Sequence, residues 1–410
     1  MKIHMALGDG TPGVQEKLNH LPEFEAETGI KVTFDWMPAG PLYEKSLLDF
    51  SQGTGIYDIV QTSSGWGAGF TNGKYLEPLD DYISDPELTN AQELDIEDIL
   101  SLNLDVMTFG GKRYGFPHFG HANILIYRMD ILDQLKLDIP KTFDQFEQVA
   151  QMITDAKLKT ADGEQVYACA LAGNASYFDR LVPVIKGMGG RMLDENKRPA
   201  LTEKPALDAL EWYARMIKKY STPSSVNGGF IEMEQASQGG TCALMLDYGP
   251  FIEFTEDKKA SKTVGLWALA DHPTDGRPLK GCVYYSLWAF SMSAGSKNKK
   301  AAWKVLSWFS SRKLNDQLLA EGYLFRGMVT RKSESEAPGI KGQPWTEAAM
   351  RATQATDVEA IPRIPESKQL TDIAGAHMNA AITDLETPAD AWQKASAEMD
   401  PILKDAGYYQ

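Results

Sequence analysis

Apolar residues recur along the chain at two spacings, every second position in short runs and every third or fourth in longer ones. The opening Lys2-Ile3-His4-Met5-Ala6-Leu7 reads as a strand that ends in Gly8-Asp9-Gly10-Thr11-Pro12-Gly13, a run of turn formers. A helix is predicted next, with Leu18, Leu21 and Phe24 on one face and a stop at Gly29. Ile30-Lys31-Val32-Thr33-Phe34 alternates as a strand, and residues 42–52 read as a helix halted by Gly53 and Gly55. Tyr57-Asp58-Ile59-Val60-Gln61 is a short apolar run suited to a buried parallel strand. Its C-terminal loop is expected at Thr62-Ser63-Ser64-Gly65-Trp66.

The alternation continues. Asn123-Ile124-Leu125-Ile126-Tyr127 is a predicted strand, and residues 142–153 a helix with Phe143, Phe146 and Val149 at helical spacing. Thr142 is its expected cap, with Gln145 three residues on. Strands follow at 166–171 and 242–246, and helices at 206–220, 300–310, 346–354 and from 367 onward. Strand–helix alternation of this kind argues an α/β architecture, whose ligands bind outside the carboxyl ends of the strands. Asp9 and the loop at 62–66 lie at such ends.

At 410 residues the chain exceeds one hydrophobic core, so two domains are expected. Lys and Arg total 41 against 56 Asp and Glu, a net charge of -15. That balance repels phosphate backbones, and no basic cluster offsets it, which argues against nucleic-acid binding. Cys169, Cys242 and Cys282 are too scattered for a disulfide framework or a zinc site, and their apolar neighbours predict buried thiols. No run approaches the roughly 18 to 20 apolar residues of a membrane span. The N-terminus reads as a strand rather than a signal peptide, as in a mature exported sequence behind an initiator Met, although composition fits a cytosolic protein equally.

Seven segments, in order, resemble the family 1 extracellular solute-binding proteins of ABC importers, the group that includes maltodextrin-binding proteins. Phe24-Glu25-Ala26-Glu27-Thr28-Gly29-Ile30-Lys31-Val32 is similar to their first helix-to-strand junction. Tyr57-Asp58-Ile59-Val60 resembles a strand that usually opens with proline, and Gly73-Lys74-Tyr75-Leu76-Glu77-Pro78-Leu79-Asp80 a G-x-L-x-P-L-D segment. Tyr114-Gly115-Phe116-Pro117 with Leu125-Ile126-Tyr127-Arg128 looks like the passage into a second lobe. Pro140-Lys141-Thr142-Phe143-Asp144-Gln145-Phe146, Gly239 to Pro250, and Ser296-Lys297-Asn298-Lys299-Lys300-Ala301-Ala302-Trp303 complete the set.

The resemblance implies a periplasmic-binding-protein-like fold: two α/β lobes joined by a hinge, with a ligand cleft between them. It places residues 1–116 and 270–322 in the N-terminal lobe and 123–265 and 327–410 in the C-terminal lobe, with crossovers at 117–122, 266–269 and 323–326. It also implies a periplasmic or extracellular monomer that closes on a sugar or polyol and delivers it to a membrane permease. No cofactor is expected.

Carbohydrate recognition needs flat apolar faces for C–H groups and charged or amide groups for hydroxyls. By the resemblance, Asp9 is a hydroxyl-binding carboxylate, or else a turn former before Gly10. Ser64 and Trp66 align with cleft positions, though Trp66 equally suits packing under its loop. His118 and His121 form H-x-x-H with no third metal ligand in view, so hydrogen bonding of His121 to the ligand is preferred over metal. Tyr177 with Asp179 resembles a second-lobe segment whose aromatic residue stacks on the sugar. Tyr248 and Phe251 flank the Gly249-Pro250 turn, with core packing the competitor for Phe251. Tyr285 and Trp288 lie in Tyr284-Tyr285-Ser286-Leu287-Trp288, which enters a strand where the family reads G-G-W and lacks those glycines, and strand alternation keeps both from facing a ligand unless a bulge intervenes. Arg326 and Arg363 are candidates for hydroxyls or an anion, or surface cations.

Three other functions stay open. A glycoside hydrolase needs two opposed carboxylates, for which Asp9 and Asp179 are the candidates; a nucleophile elbow, P-loop or Rossmann fingerprint is missing. Ferric iron would use Tyr284, Tyr285 and His121, and a polyamine would use the carboxylates. A scaffold protein would show no ligand-dependent stabilisation.

Overall fold

Both faces of the strand Lys2–Gly8 are buried from Met5 onward, which accounts for the apolar character of its second half. Ile3, Met5 and Leu7 enter one cluster and Ala6 another, as strand alternation requires. The computed structural model describes residues 1–323 and 329–410. Their contacts divide the chain into two compact units.

The first unit comprises Met1–Gly120, Ser286–Lys341 and Arg363–Pro365. Its strands run in the order Lys31–Met37, Lys2–Gly8, Ile59–Ser63, Tyr285–Met292, the first three parallel and the last antiparallel. On one face Ile3, Met5 and Leu7 pack with Leu18, Phe24, Trp303, Leu306 and Phe309; on the other, Leu42, Phe50, Trp66 and Phe70 cover Ala6 and Val60.

The helix predicted through Leu18 and Phe24 is two helices, Val14–Asn19 and Leu21–Thr28. Pro22 has no N–H to continue the first, and it fits the opening turn of the second. Gly29, at φ 69°, ends the second as predicted. The expected loop at 62–66 is instead the end of a strand and the start of the helix Ser64–Asn72, capped by the Ser63 hydroxyl, which accepts from Gly65 N.

The second unit comprises His121–Tyr285, Gly342–Pro362 and Glu366–Gln410. Tyr167–Cys169 pairs parallel with Cys242–Tyr248, which pairs antiparallel with residues 123–127; those in turn pair antiparallel with Trp267–Ala270. The helix Phe143–Ala156 starts on Thr142, whose hydroxyl accepts from Gln145 N at 3.2 Å, while Gln145 Oε1 accepts from Lys141 N rather than from the cap residue. All three cysteines are buried free thiols.

Phe116–Arg128 is one buried strand, and the division between the two units falls on it, after Gly120. Residues 266–269 belong to the strand Trp267–Ala270 and the turn before it. Residues 270–285 pack in the second unit, where Thr274 N bonds Lys141 O and Asp275 N bonds Gly187 O. Residues 329–341 pack in the first, where Arg331 Nη2 donates to Leu94 O. The expected crossover at 323–326 lies almost wholly outside the described residues.

Candidate functional site

Asn174 caps the short 3-10 helix Ala175–Arg180 by accepting from Ser176 N at 2.9 Å. Asn379, on the helix Ser367–Ile382, ties the preceding turn down through the Gly173 carbonyl at 2.8 Å. Gly375 of that helix meets the Ala175 carbonyl so closely that a side chain there would collide with it. Tyr177 fills the space a Gly229 side chain would need. These contacts fix where Tyr177, Asp179 and Arg180 project.

Arg180 Nε donates to Asp247 Oδ1 at 3.0 Å and Nη1 donates to Asp179 Oδ2 at 2.7 Å. Its guanidinium lies 4.0 Å from the centre of the Tyr248 ring and 4.9 Å from that of Tyr177. Tyr248 donates its hydroxyl to Asp179 Oδ2, and the His121 ring lies against Tyr248 at 3.7 Å between centroids. Asn123 sits opposite Tyr248 in the sheet register and on the same strand face as His121.

Burial drives the electrostatics. It pushes the His121 imidazole well below its usual range, with the Arg180 charge adding to the shift, so the ring is neutral. It pushes the Tyr248 phenol well up, as does the Asp179 carboxylate, so the phenol keeps its proton and donates it. Burial also works against the Arg180 charge, but Asp179 and Asp247 more than offset it. Within this group Asp179 Oδ1 and both side-chain polar atoms of Asn123 are buried without a hydrogen-bond partner among the described residues. Buried polar atoms left unmatched by a fold are open to a polar ligand or water.

In the first unit Asp9 is exposed in the turn after the first strand, held by its N–H to Met37 O. Ser64 Oγ accepts from Leu287 N at 3.1 Å, so its hydroxyl supports the neighbouring strand. Trp66 is buried, packed on Tyr43, Phe70 and edge-on against the half-buried Trp288 at 5.2 Å. His118 is buried against Phe290, and burial lowers its basicity well below the usual range. Gln61, opposite Phe290 in the register, accepts from Gly8 N through Oε1 and leaves Nε2 without a partner among the described residues.

The paired histidines therefore part company: His118 belongs to the first unit and His121 to the second, on opposite faces of one strand. Phe251 packs with Phe230 and Phe254 and is fully buried, the competitor reading for that residue. Tyr285 is buried at the start of its strand. Arg363 Nη2 donates to the carbonyls of Asp105, Val106 and Thr108, and its guanidinium covers the Phe109 ring. Arg326 lies outside the described residues. Arg180 and Asp247 were missed by sequence reasoning. The available signal was a lone carboxylate in the otherwise apolar run Cys242 to Tyr248, where a buried charge requires a partner.

The family model for bacterial extracellular solute-binding proteins matches residues 8–316. The chain belongs to that family. Its members are binding proteins rather than enzymes. The mannitol-binding protein of Pseudomonas aeruginosa is 24% identical to this solute-binding protein, over 96% of this chain and 91% of the relative. Two solved structures share its fold. An ABC transporter solute-binding protein from Agrobacterium radiobacter in complex with ribitol matches with a TM-score of 0.87 at 23% identity, covering 98% of each chain. One from Agrobacterium vitis with bound D-mannitol also scores 0.87, at 21% identity and 100% coverage of both. The periplasmic-binding-protein-like α/β fold expected from the sequence is the fold observed. Among the described residues no helix is long and apolar enough to cross a membrane.

Proposed function

We propose that this solute-binding protein captures a sugar or sugar alcohol outside the cytoplasmic membrane, as a monomer, and delivers it unaltered to an ABC permease. The observation that carries the reading is the second-unit group around Arg180. Asp179 Oδ1 is an open acceptor, Arg180 Nη2 donates to no described residue, and Asn123 offers an open amide. Adjacent hydroxyls of a polyol can donate to the first and accept from the others. The ring of Tyr177 and the neutral His121 supply an apolar face and a further polar edge. Asp9, Ser64, Trp288 and Gln61 are the first-unit candidates. The ligands named for the relatives, mannitol and ribitol, are of this class.

A thermal-shift screen against mannitol, ribitol, tagatose, maltose, amino acids, polyamines and ferric salts tests the reading. Ligand at about 100 times its dissociation constant adds about 2.7 kcal/mol of stability. A shift from a sugar or polyol, with the ligand recovered unchanged, is expected. Silence from every carbohydrate alongside a shift from an amino acid, polyamine or iron would overturn it.

A further inference from the structure

Among the described residues Arg180 is the cation of the proposed second-unit group, and an exposed guanidinium there would favour anionic ligands. Its surroundings oppose this. Two carboxylates, Asp179 and Asp247, hold its guanidinium through Nη1 and Nε. The adjacent imidazole of His121 is neutral and the Tyr248 hydroxyl is spent on Asp179. Asp247 itself is almost fully buried, and its Oδ1 also accepts from Tyr248 N at 2.7 Å.

We propose that Asp247 is a specificity-determining residue: by clamping Arg180 Nε and countering its charge, it makes the site select uncharged polyols and reject sugar acids of the same length. The proposal rests on the polyol reading of the same group. Asp247 is a positioning residue, because it acts through Arg180. Burial raises the affinity of its carboxyl for a proton, whereas the Arg180 charge and the Tyr248 amide favour the carboxylate. The balancing charge is held in the interior, where it is screened least by salt.

The test is calorimetric titration of the full chain with D-mannitol, ribitol and D-gluconate, for wild type, Asp247→Asn, Asp179→Asn and Asp247→Asn/Arg180→Gln. Asn conserves the shape of Asp247 and its acceptor oxygen. Wild type is expected to show no gluconate binding, Asp247→Asn to gain it at least tenfold, and the double variant to lose that gain. Asp179→Asn, whose carboxylate is partly exposed, should gain gluconate binding too and keeps the test decisive should the Asp247 variant misfold. Folded Asp247→Asn with gluconate binding no better than wild type would overturn the proposal, whatever the polyols do. Wild type that ignores every polyol, while Asp247→Asn gains gluconate, would retain the charge rule and refute the polyol reading.

Discussion

Arg363 Nη2 lies 2.9 Å from the carbonyl oxygen of Thr108 and also reaches the Asp105 and Val106 carbonyls. The last two close the helix Ser101–Asp105, whose final carbonyls have no partner within the helix. A guanidinium at that position satisfies them and complements the helix dipole. Arg363→Ala should therefore cost about 1.5 to 3 kcal/mol of stability, the range for hydrogen bonds to a charged group. Ligand affinity should be unchanged. Urea denaturation and titration together decide it: a tenfold loss of affinity at full stability would return Arg363 to the ligand contacts.

Gly229→Ala tests the seat of Tyr177. The added methyl meets the tyrosine ring and forces it to move. Overpacking of this kind costs about 1 to 3 kcal/mol. Affinity for a bound polyol should fall by at least tenfold. Gly239→Ala is the control, since its new methyl would find Thr241 Cγ2 at an ordinary 3.9 Å. Equal affinities for the two variants would remove Tyr177 from the site.

Removing Arg180 alone leaves Asp247 buried without its charged partner. Arg180→Met should cost about 3 to 5 kcal/mol and abolish binding. Arg180→Met/Asp247→Leu should be less destabilised than the single variant, because the stranded charge goes with its partner. If the double variant is as unstable as the sum of the singles, the two side chains are not coupled.

Lys17 is buried in the first unit, with Nζ donating to the Phe309 carbonyl at 2.9 Å. Burial lowers it from 10.5 to about 7, with Glu334 pulling upward and Arg331 adding to the lowering. His118 stands close enough to feel its charge. Between about pH 7 and 10.5 the unfolded chain holds the proton that the folded chain has released, so this group's contribution to stability rises with pH across that window. Below about 7 its penalty is complete. Lys17→Met should accordingly raise the melting temperature at pH 6, and the advantage should shrink by pH 10. A difference that stays constant with pH would show that Lys17 does not titrate in the fold.

How much of this was legible in the sequence depends on how local the cause is. Gly29, Gly53 and Thr142 end or start their helices as the sequence predicts, since a positive φ or a capping oxygen is decided within a few residues. The alternation of Ile3, Met5 and Leu7 and the buried thiols were equally visible. Ser64 and Trp66 were sought in a loop and lie on a helix, because the cap by Ser63 wins over the turn propensity of Ser64-Gly65.

The family and its α/β fold were written in the order of short segments along the chain. The fate of each candidate side chain was not, because it depends on partners distant in sequence. Trp66 is claimed by Tyr43 and Trp288, Phe251 by Phe230, and Arg363 by a helix end more than 250 residues away. Arg180 meets Asp247 across 67 residues. Local periodicity determines which face of an element is apolar; only tertiary packing decides which buried charges meet, and therefore which polar atoms are left open for a ligand.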